Sequence, residues 1–200
     1  MSLKFVFIVV CFMVALGSYF FCKNKRDWFW GSLALGFTLV ADFFLVLHDW
    51  HLPGVAVFCF AHLAYIMRAM EHRRGLLRRS APRNDERKPL PLLWFLFLVI
   101  AVVLTILAFV WVDAIFVVSA LYATLFISNI IISARYLQHN RWLAITGLLL
   151  FLACDICVLL FNLPRYIGAP AWLTGVFPLI WVFYLPSQVL LSVSAVDFRR

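Results

Sequence analysis

WLAITGLLLFLACDICVLLFNL, residues 142–163, is an almost unbroken apolar run holding one ionisable side chain, Asp155. An α-helix needs roughly 20 apolar residues to cross the hydrocarbon core of a bilayer. Lipid gives the backbone no hydrogen-bond partners, so a spanning segment must be a helix or part of a closed barrel. Barrel strands alternate apolar and polar positions, and this run does not. It therefore reads as a membrane helix. A carboxyl group inside such a helix is costly and normally faces a bundle interior or a water-filled cavity.

The same pattern extends along the chain. Apolar spans are read at 3–22, 28–47, 53–70, 90–111, 114–134, 142–163 and 172–194. Of the 200 residues, 66% are hydrophobic and 13% are charged, whereas a soluble domain carries roughly 25% charged residues. The expectation is an all-α, polytopic transmembrane helix bundle of about seven helices, a multi-pass integral membrane protein forming one domain over 1–200. The longest break, EHRRGLLRRSAPRNDERKP at 71–89, is too charged for lipid and reads as a basic loop with room for some helix.

Orientation follows from the basic residues. Lys23, Lys25 and Arg26 follow span one; Arg68, Arg73, Arg74, Arg78, Arg79, Arg83, Arg87 and Lys88 end or follow span three. Arg135 and Arg141 follow span five, and Arg199 and Arg200 follow span seven. Only Lys4 and Arg165 fall on the other side. By the positive-inside bias, the N-terminus is expected outside and the loop 71–89 and the C-terminus in the cytoplasm. The first span carries its stronger basic cluster after the apolar run, the reverse of a signal peptide. It reads as a membrane helix.

The net charge of +8 is distributed over loop ends and forms no coherent basic face, so no nucleic-acid partner is expected. Contact with anionic headgroups is the natural role for the same arginines. Cys11, Cys22, Cys59, Cys154 and Cys157 all lie in apolar runs. Cys154 and Cys157 form a C-x-x-C, but no second pair or nearby His completes a metal site, and they read as packing residues.

The ionisable groups read within the spans are Asp42, His62 and Asp155, at similar depth in the middle to outer part of the bilayer. Their polar companions are Tyr65, Tyr122, Ser128, Asn129, Tyr184 and Gln188. His62 and Tyr65 share a helix face at i, i+3, and Tyr184 and Gln188 share one at i, i+4. Tyr122 and Asn129, seven apart, share another. Ser, Tyr, Asn and Gln also serve as hydrogen-bonding glue between membrane helices, and a lone His is often a packing residue. Two aspartates within lipid point instead to function. His48, Asp49 and His51 have ligand chemistry but read as a solvated turn, so neither a metal nor another cofactor is expected.

Four segments resemble one family in matching order. ADFFLVL at 41–47 is similar to the G-D-x-x-L segment of the YhhN-like lysoplasmalogenase family. GVAVFCFAHLAYI at 54–66 resembles its Gly, Phe, H-x-x-Y motif, and LFLACDICVLL at 150–160 its F-x-x-S-D segment. WVFYLPSQVLLSVS at 181–194 resembles its final helix with Tyr and Gln. The resemblance covers about 28–194. Ala41 stands where the family has Gly and Cys154 where it has Ser, small-for-small changes beside the two carboxyl groups. Family members are described with eight helices and cytoplasmic termini. This chain reads as lacking the first, which agrees with an N-terminus outside.

The resemblance implies hydrolysis of the vinyl ether of lysoplasmalogens, or a related single-chain lipid, to a fatty aldehyde and a glycerophospho-ethanolamine or -choline. For a bacterial chain it implies the cell membrane. Such a reaction needs a proton donor, a negative group for an oxocarbenium ion and a base for water, work that two carboxyl groups can divide. Asp42 and Asp155 would take these roles in either order, with His62 orienting or relaying. Tyr65, Tyr184, Gln188, Asn129 and Tyr122 would contact water or substrate. The same residues would also serve a small transporter or lipid-binding protein as a proton relay. G-x-S-x-G, the mark of a conventional serine hydrolase, is absent from the sequence.

Overall fold

A computed structural model describes residues 3–20, 22, 24–79, 114–137, 140–168 and 170–194. These fold into six α-helices: α1 Leu3–Gly17, α2 Lys25–Asp42, α3 His51–Arg79, α4 Ala114–Tyr136, α5 Arg141–Ile167 and α6 Phe177–Ser194. No strand occurs among the described residues. Five segments are long and apolar enough to span a membrane: Lys25–Leu47, His51–His72, Ala114–Tyr136, Arg141–Arg165 and Ala171–Ser194. The first apolar segment among the described residues is shorter, Phe5–Phe20, and its last three residues form a 3₁₀ turn, Ser18–Phe20. The span read at 90–111 lies outside the described residues.

Local chemistry sets the helix ends. Asn24 caps α2, its Oδ1 accepting from the amides of Arg26 at 3.2 Å and Asp27 at 3.3 Å, which satisfies donors that have no partner within the helix. Directly after Asp42, the helix widens into a π-helical turn at Phe43–Leu47, a rare geometry that often marks functional sites. The turn comes close to α3 at Gly54, where a Cβ would lie 2.5 Å from Leu45 Cγ. Gly54 is there because no side chain fits.

The basic loop read over 71–89 begins as helix, since α3 continues through Arg79; residues 80–89 lie outside the described set. Glu, Leu and Arg are strong helix formers, so a charged stretch leaving the bilayer need not stop being helical.

α2 packs on α3, α3 on α4, and α5 on α6, with α1 lying against α2 and α6. Gly147 permits close contact of α5 with α6, its missing Cβ lying 3.0 Å from Leu191 Cγ. Polarity is distributed as the bilayer requires. Val10, Met13, Phe29, Phe60, Ile127, Leu149, Ile156, Leu159 and Val182 are exposed, while Asp27, Asp42, His62, Arg68, Asn129 and Gln188 are buried. A soluble protein shows the opposite tendency. Trp50 and Trp172 are exposed at one end of the bundle and Trp142 at the other, the positions favoured by interfacial indole rings.

Candidate active site

Asp42 is the last residue of α2 and is 3% exposed. Its Oδ2 accepts a hydrogen bond from the Tyr184 hydroxyl of α6, itself buried. Pro186 lies in the same helix and brings no backbone N–H, while Ser187 Oγ donates to the Tyr184 carbonyl at 2.6 Å. Asp155 is held in the same manner by other helices. The Tyr122 hydroxyl of α4 donates to its Oδ2 at 2.5 Å, and Asp155 is partly buried in α5. Each tyrosine engages one oxygen of its carboxyl group.

His62 of α3 is fully buried between these pairs. Its ring stacks on Phe126 with centroids 4.2 Å apart and lies 5.1 Å from the Tyr122 ring and 5.9 Å from Phe151. Phe151 in turn lies 5.5 Å from Tyr184. One aromatic cluster therefore connects Tyr122, His62 and Tyr184, and through the two tyrosines both carboxyl groups. Cys154, the residue before Asp155, is buried in the same core. Asn129 Nδ2 donates to His62 Nδ1 at 3.2 Å, and Ser133 Oγ donates to Asn129 Oδ1 at 3.0 Å. With Nδ1 accepting, a neutral His62 carries its proton on Nε2.

The expected site residues thus separate into two groups. Asp42, Asp155, His62, Tyr122, Asn129 and Tyr184 are joined by bonds and ring contacts. Tyr65 and Gln188 are buried on the expected faces but bond to neither carboxyl group. The Tyr65 hydroxyl and Gln188 Oε1 have no hydrogen-bond partner among the described residues. Gln188 Nε2 reaches Ser187 Oγ at 3.5 Å, and Ser128 is buried as well. In the turn, His51 Nε2 lies 3.2 Å from Asp49 Oδ1, while His48 is exposed and packs its ring on Phe43 and Trp50. Among the described residues, no group of three or more His, Cys, Asp or Glu is placed to hold a metal. All five cysteines are buried and unbridged.

The short set of ionisable groups read within the spans proves incomplete. Arg68 is 2% exposed, not a loop-side charge. Its Nε and Nη2 donate to Asp27 Oδ1 at 2.8 Å and Oδ2 at 3.0 Å. Nη1 donates to Ser194 Oγ at 3.0 Å, and Nη2 also donates to the Ser194 carbonyl at 2.7 Å. His72 Nε2 completes the cluster, 2.7 Å from Asp27 Oδ1. This fork ties the start of α2, the middle of α3 and the end of α6. A stripe was available to find it: His62, Tyr65, Arg68 and His72 recur at helical spacing and share one face of α3.

No curated protein and no solved structure matches the chain. The model of the YhhN family matches residues 3–195, further toward the N-terminus than the motifs at 41–194 and taking in the first apolar segment. With nearly its whole length covered, this helical membrane chain, whose Asp42 and Asp155 are each held by a tyrosine from another helix, belongs to the YhhN family.

Proposed function

We propose that the protein is an intramembrane lipid hydrolase that cleaves the vinyl ether bond of lysoplasmalogens. The observation that carries this reading is the pairing of Asp42 with Tyr184 and of Asp155 with Tyr122, on four helices, with both tyrosines in one ring cluster through His62 and Phe151.

The reaction requires acid, then base. One aspartic acid gives its proton to the β-carbon of the vinyl ether, and the C=C π-electrons form the new C–H bond. The resulting oxocarbenium ion is stabilised by the nearby negative charge of the other carboxylate. Water adds to the cationic carbon and loses a proton to a carboxylate, giving a hemiacetal. Loss of the hemiacetal hydroxyl proton and protonation of the departing glycerol oxygen release aldehyde and glycerophospholipid headgroup. One water is consumed and the protein regains its starting protonation. General acid–base catalysis of this kind contributes typically about 10²–10⁴-fold.

The tyrosines fix the geometry. Each ties up one carboxyl oxygen and leaves the other for substrate or water. Phe58, Phe126 and Phe151 are buried around His62 and Tyr122, giving an apolar setting in which an acyl-like chain is at home. Purified protein in detergent, given 1-alkenyl lysophospholipid, is expected to release fatty aldehyde, and a saturated 1-alkyl analogue is expected to be inert because it offers no π-bond to protonate. Aldehyde-free incubation with the alkenyl lipid, alongside proton movement in sealed vesicles, would favour the relay of a small transporter instead.

A further inference from the structure

Tyr122, Phe126 and Asn129 recur at helical spacing along α4, and all three meet His62 of α3. Ser133, one turn further along the same face, bonds to Asn129. His62, Asn129 and Ser133 are all buried. The chain of bonds has a direction. Ser133 Oγ donates to Asn129 Oδ1 at 3.0 Å, and Asn129 Nδ2 faces His62 Nδ1 at 3.2 Å. An amide nitrogen can only donate, so Nδ1 accepts. An imidazole that accepts at Nδ1 is neutral and carries its proton on Nε2.

Proton relay does not fit that bond. A relaying imidazole takes up a proton at one nitrogen and gives one up at the other. Nδ1 faces an N–H group, which has no lone pair to receive a proton, and a proton on Nδ1 would set two N–H groups against each other inside the bundle. Among the described residues, no carboxylate bonds to either ring nitrogen. What His62 has left is Nε2–H. That atom is buried with no hydrogen-bond partner among the described residues, a condition that costs about 1–3 kcal/mol and that few buried polar groups show. Its ring lies 5.1 Å from that of Tyr122, the tyrosine that holds Asp155. An open donor in contact with the carboxyl-bearing cluster suits an oxygen that arrives with a ligand. The rings of Phe126 and Phe151 on either side suit a neutral oxygen of the glycerol unit; a phosphate would find no cation among them.

We infer that Asn129, backed by Ser133, is a positioning residue that holds His62 in its Nε2–H tautomer, and that the imidazole is a fixed hydrogen-bond donor to a neutral glycerol oxygen of the bound lipid, not a proton carrier. The tautomer stands on bonds within the protein; the lipid oxygen as acceptor rests on the hydrolase reading. No proton passes through His62 in this arrangement. Protons move among Asp42, Asp155, water and lipid, while His62 keeps its own.

Nitrogen NMR of the isotope-labelled full chain in lipid nanodiscs reads the tautomer, the His62 signals among the five histidines being those lost in His62→Gln. The proton is expected on Nε2 alone from about pH 5 to about pH 8, and on Nδ1 in Asn129→Asp, where a carboxylate oxygen calls for a donor. A wild-type proton on Nδ1, or protons on both nitrogens within that range, overturns the positioning role. The donor role is read from aldehyde release. His62→Leu should lower kcat about tenfold, the equivalent of one lost hydrogen bond, and His62→Gln, which again offers an N–H donor but cannot relay, should recover most of that loss. Full activity in His62→Leu, or a folded His62→Gln protein no better than His62→Leu, overturns the donor role. If the wild-type protein releases no aldehyde, the hydrolase reading and the lipid acceptor fail together, and NMR still decides what Asn129 does.

Discussion

The Tyr184 hydroxyl in α6 donates to Asp42 Oδ2 in α2, joining residues 142 apart in sequence. A second tyrosine, Tyr122 in α4, makes the equivalent bond to Asp155 in α5. The bundle thus presents one construction twice, on four different helices, with His62 and Phe151 between.

Tyr184→Phe keeps the ring contacts with Phe151 and Trp181 and removes only the hydroxyl. It is expected to lower kcat for aldehyde release by roughly ten- to a hundredfold while costing about 1 kcal/mol of stability. Kinetics and thermal unfolding of the same detergent preparation check both. Loss of stability with full activity would make the bond purely structural.

Arg68→Met should be among the most damaging substitutions, because it leaves buried Asp27 with His72 alone and strips Ser194 of its donor. Breaking a buried pair from one side costs about 3–5 kcal/mol. The double variant Arg68→Met, Asp27→Leu should recover much of that loss. Unfolding temperatures of the single and double variants measure the difference, and a double variant no better than the single would contradict Arg68 as the main partner of Asp27.

Gly54→Val places atoms where the π-helical turn already lies, 2.5 Å from Leu45 Cγ for the Cβ alone. Overpacking of this kind costs typically about 1–3 kcal/mol. Since the turn follows Asp42 directly, activity should fall with stability, and Leu45→Ala added to Gly54→Val should restore part of each. A thermal melt and an aldehyde assay on the three proteins suffice.

Long apolar runs made the all-α membrane class legible at once, because a bilayer dictates helix length so strictly. Asp42, His62 and Asp155 were legible for the same reason: an ionisable group stands out against lipid. The tyrosine partners were readable only as companions on shared faces. Which tyrosine meets which aspartate depends on how helices pack, and no spacing within one helix encodes that. The clamp of Asp27, Arg68 and Ser194 escaped because its members stand near the ends of their apolar runs. There a charge reads equally as a headgroup anchor or as a buried pair. Some helix within 71–89 was readable, but its extent to Arg79 was not, because charge ends a membrane span without ending a helix.

The central claim is that Asp42 and Asp155 share one reaction. Aldehyde release from a 1-alkenyl lysophospholipid, measured for purified wild-type, Asp42→Asn and Asp155→Asn proteins of matched thermal stability, tests it most directly. Each single variant should lose at least about 10²-fold in kcat, and the double variant should be little worse than either single, since groups acting as a unit are not additive. Full activity in either single variant would contradict the account.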